Sequence, residues 1–149
     1  MKKLISLIAV LMLSCTVFAA HHEQGEANPG NVVTQAYATF STGDNEAWAK
    51  LHSKDLQFTV VGNLPTSGTY TGTRAVIEGV FEKIPTLWRN FKLEEVERYV
   101  IGDTVFVLLA MTADGIDTRS VHMFKVRNGK IISFTAFDDT GSMLAAIAD

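Results

Sequence analysis

Cysteine is almost absent from this chain of 149 residues: Cys15 is the only one. One thiol excludes an internal disulfide framework. Positive charge is also scarce. Lys and Arg number 13 against 16 Asp and Glu, a net charge of -3. No basic run or arginine-aromatic cluster occurs, so no nucleic acid and no anionic membrane surface is expected as a partner. No His, Cys or Asp cluster has metal-ligand spacing. "DGID" is too short for a calcium loop. Neither a G-x-S-x-G motif nor a phosphate loop appears. No metal and no cofactor is therefore expected. Repeats and a second domain are missing as well.

The one long apolar run lies at the start, in "MKKLISLIAVLMLSCTVFAA". Lys2 and Lys3 precede it and small residues follow, the layout of a secretory signal peptide. It is too short and too weakly flanked for a comfortable membrane span. Residues 1–20 are read as the signal, cut near Ala19 or Ala20, so the protein is expected to be exported, periplasmic or secreted. The competing reading is a lipoprotein anchored through Cys15. "MLSC" resembles a bacterial lipobox, but Met12 and Leu13 fit it poorly. Loss of Lys2 and Lys3 leaves 11 basic against 16 acidic side chains, about -5. Export permits disulfides, yet the mature chain has no thiol, so its stability must come from its core. Residues 21–31, "HHEQGEANPGN", read as a flexible linker. His21 and His22 could hold a stray metal ion, although a disordered terminus is the plainer reading.

Residues 32–149 read as one domain, long enough for a real core. Val33, Ala36, Tyr37 and Phe40 recur at helical spacing. Gly43 stops that helix, and Asp44 can cap a second, "NEAWAKLH". "DLQFTVVG" is a strand, and turn residues surround a short second one. Thr73 is the expected cap of a third helix, "RAVIEGVFEKI", which Pro85 closes. Four strands follow, "FKLEEVERYVI", "TVFVLLAMTA", "TRSVHMFKVR" and "KIISFTAFD". Their hairpin-length gaps predict an antiparallel meander. "MLAAIAD" makes a closing helix. The order implies an α+β fold with helices on one sheet face.

This order, with "VVGNLPTSGTYTG", "VHMFKVRNGKI" and "FDDT", resembles the nuclear transport factor 2-like superfamily, closest to its SnoaL-like, ketosteroid isomerase-related branch. The likeness runs from Val32 to Ala146. It implies a cone: a strongly curved, mostly antiparallel sheet and three helices around one deep apolar pocket. The fold hosts isomerases, cyclases, dehydratases, epoxide hydrolases and proteins with no known reaction, so it indicates chemistry poorly.

Strand alternation assigns the faces. Ile132, Phe134, Ala136 and Asp138 share one side of the last strand. Ser120, His122, Phe124 and Val126 share one side of the strand before it. The resemblance places both sets on the concave face with Val107, Leu109 and Met111, joined by Phe58 or Val60. A small, hydrophobic ligand would suit such a pocket. Two ionisable groups face it, His122 and Asp138. Asp138 is a solvated strand end, or bonds a nearby backbone N–H, or is an acid/base group, as the resemblance to SnoaL-like cyclases implies. His122 is either a satisfied core residue or the proton partner of Asp138. Such a pair could abstract a proton beside a carbonyl or activate water. Asp139 or Thr140 should cap the final helix.

The positions of the ketosteroid isomerase base, tyrosine and protonated acid read here as Val60, Ala36 and His122, so that mechanism is not expected. Tyr37 is turned about 100° from Ala36 and reads as core. Arg119 is out of phase with His122, and Asp117 falls in a turn, against the epoxide hydrolase arrangement. His52 should complement a helix dipole. Tyr70 and Trp88 read as packing at the cavity rim. On the convex side Phe106, Leu108, Val121, Met123 and Phe137 form an apolar patch that a homodimer would cover. Three readings stay open: a cofactor-independent isomerase, lyase or hydrolase, a non-catalytic ligand-binding or dimerisation module, and an accessory domain acting through its surface.

Overall fold

The computed structural model describes residues 28–147. The signal segment, Cys15, His21 and His22 lie outside the described residues. Asn28 caps helix α1 (Pro29–Ser41): its side-chain oxygen accepts from the Gly30 N–H at 2.9 Å. Pro29 occupies the first helical position, where a missing N–H costs nothing. The "NPG" sequence is thus a helix start, and regular structure begins inside the expected linker. Val32, Val33 and Ala36 form the buried stripe of α1. Gly43 adopts φ +69° and turns the chain. Asp44 caps α2 (Asn45–Lys50) through the Ala47 N–H at 2.9 Å.

Strand β1 (His52–Val60) pairs antiparallel with β2 (Gly68–Thr71). Next comes α3 (Thr73–Val76), which runs into a π-helical turn at Ile77–Phe81. There the Glu82 N–H reaches back five residues to the Ile77 carbonyl, at 3.0 Å. Two expectations fail in this stretch. Gly72, not Thr73, is the cap, at φ +79°, a backbone state that a β-branched residue resists. Pro85 does not close the helix. It sits in the first turn of a separate short helix, α4 (Ile84–Leu87), where proline is tolerated.

The meander follows as expected: β3 (Lys92–Ile101), β4 (Thr104–Ala113), β5 (Ile116–Arg127) and β6 (Lys130–Asp138). Asn128 and Gly129 both have positive φ, 51° and 70°, the tight hairpin geometry that an Asn-Gly pair favours. Asp117 lies within β5, paired with Thr112, rather than in a turn. The closing helix α5 (Thr140–Ala145) is capped by Asp139, which accepts from the Ser142 N–H at 3.1 Å. Sheet order is β2-β1-β6-β5-β4-β3. Every pair is antiparallel except β1 with β6, which run parallel.

The result is an α+β fold with one curved sheet. Val105, Val107, Leu109 and Met111 of β4 are almost wholly buried, as are Ser120, His122, Phe124 and Val126 of β5. Between β5 and β6 the alternation breaks once. A register shift sets Lys125 opposite Ser133 but Val126 opposite Ile131. Ile132 is thus the extra residue of a β-bulge. Ile131 is buried in its place, and the expected inward position of Ile132 is corrected. Beyond the bulge, Phe134 and Ala136 return to the inner face.

Candidate functional site

The concave sheet face, α1, α2, the π-turn and α5 enclose a cavity. Its atom-free space, mouth included, is about 690 Å³, but only about 80 Å³ admits the centre of a water-sized molecule. Aromatic rings crowd its wall. Phe58 stacks on Phe134 with centroids 4.1 Å apart, and Phe124 meets Phe134 edge-on at 4.9 Å. Phe58, Val60, Met111, Phe124, Phe134 and Ala136 line the wall, as do His122 and Asp138. Val107, Leu109 and Ser120 do not. The two β4 residues are buried in the core, and Ser120 is buried beside Asp138. Trp88 lines the cavity while its indole N–H bonds the Met143 carbonyl at 2.9 Å. Tyr70 is not on the wall. Its hydroxyl bonds the Thr66 carbonyl at 3.0 Å.

One polar group crosses this apolar interior. Ser120 pairs with Asp138 across β5 and β6, and His122 pairs with Ala136. These positions share the inner face, so the His122 ring lies diagonally from the carboxylate. His122 Nε2 is 3.5 Å from Asp138 Oδ1, and both side chains are only 8% exposed. The Ser120 hydroxyl donates to the same Oδ1. No hydrogen bond from a described residue reaches Asp138 Oδ2. On the other side of the ring, the Tyr37 hydroxyl is 2.9 Å from His122 Nδ1. The two rings lie nearly parallel, at 14°.

Tyr37 corrects the reading of that residue as core. It lines the cavity, and burial, first of all, pushes its phenol far above the ordinary range. Glu95 and Asp138 push the same way, while Arg98 opposes them. The phenol therefore keeps its proton. With a neutral ring it donates to Nδ1, which leaves the imidazole proton on Nε2, facing Asp138. Sequence offered one usable signal. Tyr37 follows Ala36 on the buried side of α1, and a tyrosine hydroxyl inside an apolar core requires a partner. His122 and Asp138 were the only ionisable candidates identified on the facing strands.

His52 is a second correction. It opens β1, is buried, and lines the cavity. Its Nδ1 lies 2.7 Å from the Trp48 carbonyl, and its ring lies against the Trp48 indole at 3.8 Å. Desolvation lowers its pKa to about 4, outweighing the raising effect of the Trp48 bond. It serves the end of α2 as a neutral donor, not as a charge. No group of three or more His, Cys, Asp or Glu among the described residues could hold a metal ion. No described helix is long and apolar enough to cross a membrane.

A family model described as "SnoaL-like domain" matches residues 33–134. Similar solved structures include a nuclear transport factor 2-like protein from Burkholderia thailandensis, at 23% identity and TM-score 0.75, covering 83% of this chain and 99% of the other. A second, from Burkholderia xenovorans, has 19% identity and TM-score 0.68, with 83% and 100% covered. A third, TerC co-crystallised with polyporic acid, has 21% identity and TM-score 0.72, with 80% and 98% covered. No curated protein matches the chain by sequence.

Proposed function

The chain belongs to the SnoaL-like domain family, and from that premise we propose that its cone binds a small, largely apolar carbonyl compound and moves a proton on it. One observation carries this reading: a buried Asp138–His122–Tyr37 contact on the wall of an apolar cavity. Oδ1 of Asp138 already receives Ser120 and faces His122, whereas Oδ2 has no partner among the described residues. Oδ2 is the atom that would take a proton from the carbon beside the carbonyl. The electron pair of the broken C–H bond moves onto the carbonyl oxygen as an enolate. The His122 Nε2–H, held in that tautomer by the Tyr37 phenol at Nδ1, stabilises that oxygen by hydrogen bonding. Return of the proton to another carbon completes an isomerisation, and no cofactor is needed. TerC, a structural relative, was crystallised with polyporic acid, which supports a pocket for a small organic ligand.

The test is proton exchange. α-Tetralone, a flat bicyclic ketone, is incubated in deuterium oxide and exchange beside its carbonyl is followed by NMR. Wild type should accelerate exchange, and Asp138→Asn should lower the rate by about a hundredfold or more. Binding without any acceleration favours the non-catalytic module, and failure to bind sinks the reading altogether.

Export and dimerisation belong to the same proposal. A signal cut near Ala19 or Ala20 would show as a mature N-terminus in the periplasmic fraction. On the convex face Phe106 pairs with Met123, Leu108 with Val121, and Val121 with Phe137, giving one apolar patch across three strands. Phe137 is 49% exposed, and a second copy would cover the patch.

A further inference from the structure

A bulge in β3 brings two charged side chains to the inner face of the sheet. Glu95 pairs with Leu109, Glu97 with Leu108, and Arg98 with Val107. Val96 is therefore the extra residue. Strict alternation would set positions 95 and 98 on opposite faces, but here both stand beside buried β4 residues. Their side chains form an ion pair, Arg98 Nη2 with Glu95 Oε2. The register carries on across the sheet. Arg98, Val107 and His122 make one row, and Glu95, Leu109, Ser120 and Asp138 make the next.

Helix α1 joins the two ends of the first row. Arg98 Nη1 donates to the Gly30 carbonyl at 2.6 Å and to Thr34 Oγ1 at 2.8 Å. The Tyr37 hydroxyl meets His122 Nδ1 at 2.9 Å. Gly30 and Tyr37 lie roughly two helical turns apart and point within about 20° of each other, at about 100° per residue. One stripe of α1 thus carries both contacts. Burial acts most strongly on the Tyr37 phenol, but the charges of Glu95 and Arg98 reach it too, in opposite directions. Stability explains this arrangement poorly. Arg98 Nε is the one buried side-chain nitrogen or oxygen among the described residues without a partner, a cost that an apolar side chain of similar length would avoid.

We propose that Arg98 is a positioning residue for the proton-transfer centre: by gripping Gly30 and Thr34 it fixes the rotation of α1 about its axis, and so keeps the Tyr37 hydroxyl on His122 Nδ1. This rests on the proton-transfer reading of the same cavity. Arg98 is not on the cavity wall, and it acts through Tyr37. The phenol oxygen stands well out from the helix axis, so a small turn of α1 carries it beyond hydrogen-bond reach. A misplacement of about 1 Å can cost about a hundredfold in rate.

The first readout is the ¹⁵N resonance of His122 Nδ1 in the protein without ligand, at about pH 8, where a histidine of ordinary pKa is neutral. Tyr37→Phe removes the donor and should move this resonance downfield. Arg98→Met, similar in length and uncharged, should move it the same way by a comparable amount. Thr34→Val, at an exposed position, removes one of the two acceptors on α1 and should give a smaller move in the same direction. It decides the matter if Arg98→Met does not fold. A merely structural Arg98 would lower the thermal midpoint on substitution and leave Nδ1 where it was. The second readout is exchange on α-tetralone. Arg98→Met should lower kcat about tenfold with little change in KM, and should add nothing in the Tyr37→Phe background. An unmoved Nδ1 resonance overturns the proposal, and so does an equal loss of rate in both backgrounds. If wild type does not accelerate exchange, the proton-transfer reading falls by itself, and the resonance alone decides whether Arg98 places Tyr37.

Discussion

Tyr37 and His52 are the two residues whose chemistry depends most on what surrounds them. Tyr37→Phe removes the donor to His122 Nδ1 and leaves a buried nitrogen unpaired. The expected cost is about 1–3 kcal/mol, read as a drop of several degrees in the thermal midpoint. His52 gives a pH dependence. Its folded pKa is about 4 against an ordinary 6.5, so the unfolded chain binds this proton more readily between those values. The stabilising effect is complete above about pH 6.5 and is lost as pH falls toward 4, on the order of 3 kcal/mol. Urea midpoints for wild type should fall across that window more steeply than those for His52→Asn. Strand alternation grouped His122 with Phe124 and Asp138 with Phe134, and the family resemblance put both groups on the inner face. Sequence misjudged Tyr37 because its partner lies 85 residues away. It misjudged His52 because the helix it was assigned to ends before it and the strand begins there.

At the scale of elements, the π-turn holds Phe81 in the cavity wall. Phe81 packs edge-on against Trp48 at 4.6 Å and Phe40 at 4.9 Å. Gly79 lies in that turn beneath Tyr70, and an added Cβ would come within 2.3 Å of the ring. Two effects compete in Gly79→Ala. Helix propensity favours alanine by about 1 kcal/mol, whereas overpacking costs about 1–3 kcal/mol. Tyr70 is held by its bond to Thr66 and cannot easily yield, so the variant should melt lower than wild type. Leu109→Ala, at a position 1% exposed in the core, should cost about 2–5 kcal/mol in a denaturant titration, more than any single change at the polar site. Helix and strand order was legible from periodicity and from Asn-Gly and Asp-Gly turns. The π-turn and the bulge at Ile132 were not. Each inserts one residue into an otherwise regular ladder, and nothing in "IEGVF" or "KIIS" marks where tertiary packing places it.

At the scale of the molecule, the convex apolar patch predicts association. Sedimentation of wild type at micromolar concentration should show a dimer, and Phe137→Glu should shift it toward monomer without lowering the α-tetralone affinity. A monomer for both proteins counts against the interface. Legibility at this scale was mixed: element order gave the α+β class and the family resemblance implied the cone, but neither gave the stacking of Phe58 on Phe134 along its wall. The parallel pairing of β1 with β6 carries a consequence in time. His52 meets Ile131 across roughly eighty residues of chain, and pairings that distant form slowly. The hairpins from β3 to β6 are local and can form among themselves. The wall bearing Phe58 and His52 joins them only once Lys130–Asp138 has been made, whether on a ribosome or after transit of a membrane. The ligand chamber is thus a late product of folding: a nascent chain that stops short of β6 has most of its strands and no room to bind anything.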